Sequence, residues 1–145
     1  MRDEEQIIQK DKIIVGVKAD AKPFGFKDEN GKLQGFDIDL AYRIAKSLLG
    51  SEEKVEFVEV TPTNRIITLT SGKVDMIIAT MSVTPQRQLI LDFSVPYHTA
   101  GQAMMVNKGS KLTSLMELTL KSNKPPGFKT LFISSNISNV LPSVK

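Results

Sequence analysis

Residues 35–50 read GFDIDLAYRIAKSLLG, a stretch in which apolar residues recur every three to four positions. This spacing predicts an amphipathic helix that buries one face, and Gly50 is the kind of residue that ends a helix. The predicted buried face carries Phe36, Leu40, Ile44 and Leu48 with Ala41 and Ala45 beside them, and the other face carries Tyr42, Arg43, Lys46 and Ser47. The stretch therefore predicts a helix that packs on an apolar layer.

Short apolar runs on both sides of this helix predict the layer on which it packs. The runs are KIIVGVK at 12–18, KVEFVEV at 54–60 and VDMIIA at 74–79. Each is typical of a strand, and a short helix over 62–69, opened by Thr61 or Thr63, is predicted between the last two. Alternating strands and helices require crossover connections, so the predicted fold class is α/β with a mostly parallel sheet flanked by helices.

The composition limits the function classes that need consideration. The chain has 145 residues, 41% of them apolar, which is enough for one ordinary domain. Its 19 Lys and Arg against 16 Asp and Glu leave a net charge of +3, too small and too mixed to indicate a nucleic-acid surface. Because the chain has no Cys and one His, thiolate and imidazole metal sites are not expected, and no cofactor is predicted.

The first ten residues, MRDEEQIIQK, lack the basic and then apolar order of an export signal. No later stretch approaches 18 uninterrupted apolar residues, so no membrane span is predicted. Neither observation decides the compartment, since an expressed mature form would have lost an export signal.

The segment TMSVTPQRQ at 80–88 is the strongest candidate for a binding site. It places hydroxyl side chains after a buried strand, then Pro85 in the first turn of a predicted helix, then Arg87. Ligands of open α/β sheets bind outside the carboxyl ends of the strands, and a guanidinium can bond both oxygens of a carboxylate. The residues alone leave open a second interpretation, a solvated arginine beside hydroxyls that only cap the helix.

Other polar residues are weaker candidates. Asp37 and Asp39 could be imagined as an acid and base pair, but their position at a helix N-terminus is a sufficient explanation. His98 has no nucleophile or acid at a recognised spacing, so a structural or surface role is favoured. Met104 and Met105 lie in an apolar run and are expected in the core.

Five strings occur in an order that matches a known family. They are GVKADAKPFGF, GFDIDLAYRIAKSLLG, TPTNR, VDMIIATMSVTPQRQ and LDFSVPYHTAGQAMMV. In this order they resemble the first lobe of the bacterial extracytoplasmic amino-acid-binding proteins of ABC importers, over about residues 12 to 118. The resemblance implies a periplasmic-binding-protein-like fold of type II.

The resemblance also implies roles for individual residues. Arg87 would bind the α-carboxylate of the ligand with help from Ser82, and Thr80 would contact its ammonium group. Lys18 and Arg65 would face the ligand side chain. Cations at these two positions resemble the branch of the family that takes glutamate or aspartate. Two cations next to a zwitterion would favour a second carboxylate. The alternatives are that Lys18 points to water and that Arg65 is exposed in the first turn of its helix.

The domain organisation is expected to depart from the two-lobed family pattern. We expect an N-terminal extension over 1–11, a ligand-binding lobe over 12–108, a hinge and the start of a second lobe over 109–118, and a basic tail without family counterpart over 119–145. The second lobe is expected to be absent. That absence would leave an unpaired sheet edge near Gly101 to Val106, which a homodimer could cover by exchanging or pairing this strand.

The predicted function is therefore binding of a polar, acidic amino acid, without turnover, as the substrate-binding component of an ABC importer. The resemblance implies a periplasmic or extracytoplasmic location and a membrane permease as partner. Three alternatives stay open. They are a truncated lobe that self-associates with little ligand binding, a dehydratase or lyase on the same scaffold, and a sensor input module.

Overall fold

The computed structural model describes residues 3–99 and the backbone of two further strands. The helices are α1 Glu4–Lys10, α2 Phe36–Leu49, α3 Arg65–Thr70 and α4 Pro85–Gln88, with a 3-10 turn over Glu52–Lys54. The strands are β1 Ile13–Val17, β2 Asp20–Ala21, β3 Gly25–Lys27, β4 Leu33–Gln34, β5 Val55–Glu59, β6 Met76–Ile78, β7 Ala103–Met105 and β8 Leu131–Ile133. None of the described helices is long and apolar enough to cross a membrane.

A three-stranded parallel sheet of order β5-β1-β6 lies at the centre of the fold. In its register Val15 stands between Phe57 of β5 and Met76 of β6. Parallel neighbours need crossover connections, which α2 and α3 provide. The predicted α/β class, with a parallel sheet flanked by helices, is confirmed.

Two apolar clusters cover the two faces of this sheet. Ile13, Val15 and Val17 pack in one cluster with α2, whereas Ile77 lies in a second cluster with Leu69 of α3. Successive strand residues point to opposite faces, so each strand contributes to both clusters. The helix α1, which falls in the expected N-terminal extension, adds the buried Ile7 to the first cluster.

The buried face of α2 differs from the predicted one. Its fully buried residues are Asp37, Ile38, Ala41 and Ala45, whereas Leu40, Ile44 and Leu48 are only partly buried. Phe36 is half exposed, and Tyr42, predicted on the outer face, packs its ring edge-on against Phe57 at 5.3 Å. Small alanine side chains let the helix backbone approach the sheet closely, which centres the contact on Ala41 and Ala45.

An antiparallel excursion of three short strands, β2-β3-β4, connects β1 to α2. It ends at Gly35, whose φ of 120° lies in the region that favours glycine. The first two amides of α2 bond back to this excursion, from Phe36 to the Pro23 carbonyl and from Asp37 to the Phe24 carbonyl. These bonds hold the start of α2 against the loop.

The two shorter helices begin at different kinds of signal. The helix α3 begins at Arg65 and not at residue 62, because Thr61 and Asn64 bond each other's backbone N–H groups in a turn before it. The helix α4 begins as predicted, with Pro85 in its first turn and the Thr84 hydroxyl accepting from the Arg87 N–H.

The expectation of an unpaired edge near Gly101 to Val106 is wrong for residues 103–105. This strand, β7, pairs antiparallel with β8 of the same chain, from Ala103 opposite Ile133 to Met105 opposite Leu131. The pairing removes the reason for expecting a homodimer that exchanges this strand. The expected core positions of Met104 and Met105 concern side chains outside the described part of the chain.

Candidate functional site

The candidate site lies where the chain leaves β6 and enters α4. Residues 79–84 form this connection at the carboxyl end of the sheet, the position at which α/β folds bind ligands. Thr80 adopts a φ of 48°, in the left-handed region that non-glycine residues seldom occupy. Its two neighbours Ala79 and Met81 are buried, so the turn is fixed from both sides.

The structure brings Arg87 and Ser82 together within this turn. The Nη1 of Arg87 donates to the Ser82 carbonyl oxygen at 2.7 Å and to the Ser82 Oγ at 3.1 Å. The side chain is only partly buried, and its Nε and Nη2 make no hydrogen bond with any described residue. A guanidinium held by one nitrogen in this way can offer the others to a carboxylate.

Arg65 also contacts the turn over residues 79–84, but its side chain is buried and not exposed to solvent. Its side chain is 6% exposed, which rules out the interpretation of an exposed first-turn arginine. Its Nη1 donates to the carbonyl oxygens of Ala79 at 2.8 Å and Thr80 at 3.3 Å. Burial, and then the nearby charge of Arg87, lower the pKa of Arg65.

Lys18 follows β1 and is paired with an acid. Its Nζ lies 3.0 Å from the Asp20 carboxylate, and its side chain is 13% exposed. The interpretation of a lysine that only points to water is therefore wrong. The positive charge is offset by a neighbour within the protein, so Lys18 is a weaker attractant for a ligand carboxylate than a free lysine.

A buried carboxyl behind Thr80 was not expected from the sequence. Asp37 is fully buried, accepts a hydrogen bond from the Tyr97 hydroxyl, and has no partner for Oδ2 among the described residues. Burial raises the pKa of Asp37 to about 6, opposed by the Tyr97 bond, the Thr80 backbone N–H and His98. Burial and then Asp37 itself raise the pKa of Tyr97.

Aromatic rings pack on Tyr97 and on the neighbouring His98. Phe36 packs on Tyr97 with ring centres 5.5 Å apart, and Phe24 meets the His98 ring edge-on at 5.0 Å. His98 is exposed and packs on an aromatic ring, in agreement with a structural or surface role. Within residues 3–99, no three acidic or imidazole side chains are grouped so that they could hold a metal ion.

The Asp37 carboxyl makes stability depend on pH in a predictable direction. Because its folded pKa, about 6, exceeds the reference value of 3.8, the folded protein keeps a proton that the unfolded chain releases between these values. The free energy of unfolding should therefore fall as pH rises from about 4 through about 6, by on the order of 3 kcal/mol. Urea unfolding across this range measures the loss.

Asp37→Asn separates this effect from other titrations, because the amide stays neutral and can still accept from Tyr97. We expect the fall in stability to disappear in Asp37→Asn and to persist in Asp39→Asn, whose exposed side chain lies two residues away. The same pH profile in Asp37→Asn and the unmodified protein would contradict the assignment.

Comparison with known proteins identifies the family to which the chain is similar. The profile of the bacterial extracellular solute-binding proteins, family 3, matches residues 13–139. The chain is 45% identical over 133 residues to the ABC transporter glutamine-binding protein GlnH of Bacillus subtilis strain 168, covering 91% of this chain and 48% of that protein. It is 44% identical over 141 residues to the glutamine-binding protein of Geobacillus stearothermophilus, covering 97% and 53%.

Solved structures agree with this placement. A cysteine-binding protein from Campylobacter jejuni is 45% identical with a TM-score of 0.73, over 79% of this chain and 46% of that one. A mutant of domain 1 of TmArgBP, in its arginine-bound form, is 40% identical with a TM-score of 0.63, over 68% and 74%.

The chain spans about half the length of the curated relatives it matches. The family profile covers most of the chain and reaches residue 139, beyond the last of the sequence strings at residue 106. The chain belongs to the bacterial extracellular solute-binding proteins, family 3.

Proposed function

We propose that this chain forms the first lobe of an amino-acid-binding protein and holds the α-carboxylate of its ligand at Arg87 and Ser82. The observation that carries the proposal is the Arg87 side chain, anchored through Nη1 while Nε and Nη2 make no hydrogen bond with the described residues. The residues around it fix its position, so little ordering is needed when a carboxylate binds.

The related proteins support a site that recognises the common part of an amino acid. These proteins are named for glutamine, cysteine and arginine, which differ in side chain and share the α-carboxylate and ammonium. The arginine-bound form of a single domain 1 supports ligand binding by one lobe. In the proposed site Thr80 remains the candidate partner of the ammonium group.

We further propose that the preferred ligand is glutamine rather than glutamate or aspartate. The acidic preference expected from the sequence requires that Lys18 and Arg65 present accessible, unpaired charges to the ligand side chain. Lys18 is paired with Asp20, and Arg65 directs its Nη1 at two backbone carbonyls. The glutamine-binding relatives at 44% and 45% identity support the same choice.

The role of the protein in transport is proposed from its family. We propose that the protein containing this lobe works outside the cytoplasm and delivers its amino acid to the membrane permease of an ABC importer. We propose binding without turnover, because the two buried carboxyls of the described residues, Asp37 and Asp75, are 0% and 1% exposed and thus shielded from solvent.

The ligand preference is tested by calorimetric titration with L-glutamine and L-glutamate. We expect tighter binding of glutamine, because the side-chain carboxylate of glutamate would lose hydration while Asp20 offsets the Lys18 charge and Arg65 is buried. Asp20→Asn should shift the preference towards glutamate by about two- to fivefold, since it frees the Lys18 charge at a partly exposed site.

Glu29→Gln is the matched control, because it removes one exposed acidic charge from the loop after β3. It should leave the ratio of the two affinities unchanged. Tighter binding of glutamate by the unmodified protein would restore the acidic assignment. Product formation from either amino acid, lost in Arg87→Ala, would replace the binding function with an enzymatic one.

A further inference from the structure

We propose that Arg65 is a positioning residue of the α-carboxylate site. It holds the turn that carries Ser82, adds its positive charge to that of Arg87, and does not recognise the ligand side chain. This inference rests on the amino-acid-binding function proposed above and deepens it. It also reverses the role that the sequence suggested for Arg65, since a residue of this kind strengthens binding of every amino acid by the same factor.

The first observation is where the Arg65 side chain is anchored. It runs from the start of α3 to the end of β6, where Nη1 bonds the carbonyls of Ala79 and Thr80. These carbonyls belong to the turn that carries Ser82. Since Thr80 holds an unfavourable backbone conformation, contacts such as this one are needed to keep the turn in place.

The second observation is an excess of positive charge. Arg65 bonds the carbonyls of residues 79 and 80 and Arg87 bonds the carbonyl of Ser82, so both guanidinium groups are held on the same turn. Neither guanidinium forms an ion pair with a carboxylate of the described part of the chain. The buried Nε of Arg65 also has no hydrogen-bond partner there. A bound anion beside Arg87 would relieve this unfavourable arrangement.

The third observation separates Arg65 from the ligand side chain. At 6% exposure, with Nη1 engaged by backbone carbonyls, it has little surface to offer a variable group. Its charge therefore acts on the anion nearest to Arg87, which is the α-carboxylate in every amino acid. Loss of Arg65 should weaken glutamine and glutamate alike.

The test compares Arg65→Gln, which removes the charge and keeps an N–H donor, with Arg65→Lys, which keeps the charge. We expect Arg65→Gln to weaken calorimetric binding of L-glutamine and L-glutamate by about tenfold to thirtyfold each, with their ratio unchanged within about twofold. Arg65→Lys should recover part of the loss for both. Arg43→Gln, an exposed arginine of α2, should change neither affinity.

Urea unfolding of each variant shows whether it folds, and Arg65→Lys carries the comparison if Arg65→Gln does not. A tenfold or larger change in the ratio of the two affinities, in whichever variant folds, would show that Arg65 recognises the side chain and would overturn the inference. Unchanged affinities for both amino acids in a folded Arg65→Gln protein, which lacks the charge, would overturn it as well.

A second measurement separates this inference from the proposed function. If the unmodified protein binds none of the amino acids, the proposed function fails, and sodium acetate then serves as a minimal carboxylate. We expect acetate to raise the thermal midpoint more than sodium chloride at equal ionic strength, and Arg65→Lys to keep more of this rise than Arg65→Gln. An equal midpoint in the two salts would overturn the inference.

Discussion

Replacing Arg87 with alanine is expected to abolish amino-acid binding, with a loss of affinity of about a hundredfold or more for every ligand tested. The α-carboxylate is common to all amino acids, so every ligand would lose the guanidinium that binds it. The Ser82 carbonyl and hydroxyl also lose the donor that holds them, at 2.7 and 3.1 Å. Calorimetric titration with L-glutamine and L-arginine measures both effects together.

Arg43→Ala is the control for this variant, because it removes one arginine from the exposed face of α2 and leaves the turn at 79–84 untouched. Arg87→Ala should unfold in urea much as the unmodified protein does, since the Arg87 side chain is only partly buried. Retained binding in a folded Arg87→Ala protein would place the carboxylate elsewhere.

Replacing Gly35 with alanine is expected to destabilise the fold by about 3 kcal/mol or more. A Cβ at this position would lie 2.2 Å from the Phe24 carbonyl oxygen and 2.7 Å from the Pro23 carbonyl oxygen, and the φ of 120° is strained for any residue with a side chain. Relief of the clash would break the bonds that hold the start of α2. Urea unfolding monitored by circular dichroism gives the change.

Gly31→Ala is the matched control, since Gly31 has a φ of 78° but nothing within 4 Å of the added Cβ. It should lose only about 1 kcal/mol, the ordinary penalty of a positive φ. The comparison therefore isolates the steric contact with residues 23–24 from the backbone preference. Equal losses in the two variants would show that the close approach at Gly35 does not matter.

The sequence predicts the parts of this fold that depend on neighbours along the chain. The helix α2 ends at Gly50 with a φ of 80°, and α4 begins with Thr84 as its cap and Pro85 in its first turn. Each of these signals acts within a few residues, so it is visible without the tertiary structure. The alternation of strands and helices likewise predicts the parallel sheet.

The buried face of α2 shows where a local pattern is insufficient. The four-residue spacing from Phe36 to Leu48 predicts the core-facing row, but Phe36 is half exposed and the other three residues are only partly buried. Ala41 and Ala45, with Asp37 one turn earlier, form the row that faces the sheet. The two small alanines are the sequence signal for the face that approaches the sheet closely. Asp37 lies four residues before Ala41, so the same signal also predicts a buried Asp37.

The roles of Arg65 and Lys18 depend on contacts that a local sequence pattern does not show. Arg65 bonds carbonyls 14 and 15 residues further along the chain, and Lys18 is paired with Asp20, two residues away. From residue types alone both are cations near a binding segment, which suggests an acidic ligand. The structure changes that expectation, because Asp20 offsets the charge of Lys18 and the Arg65 guanidinium is buried against backbone carbonyls.

The central claim is that the turn after β6 receives the α-carboxylate of an amino acid. It is tested most directly by nuclear magnetic resonance on the nitrogen-15-labelled protein during titration with L-glutamine. We predict that the largest shifts fall on the backbone amides of residues 80–84 and on the side-chain Nε–H of Arg87. Shifts confined to other regions, such as α1 or the loop over 28–32, or no shift at saturating glutamine, would contradict the claim.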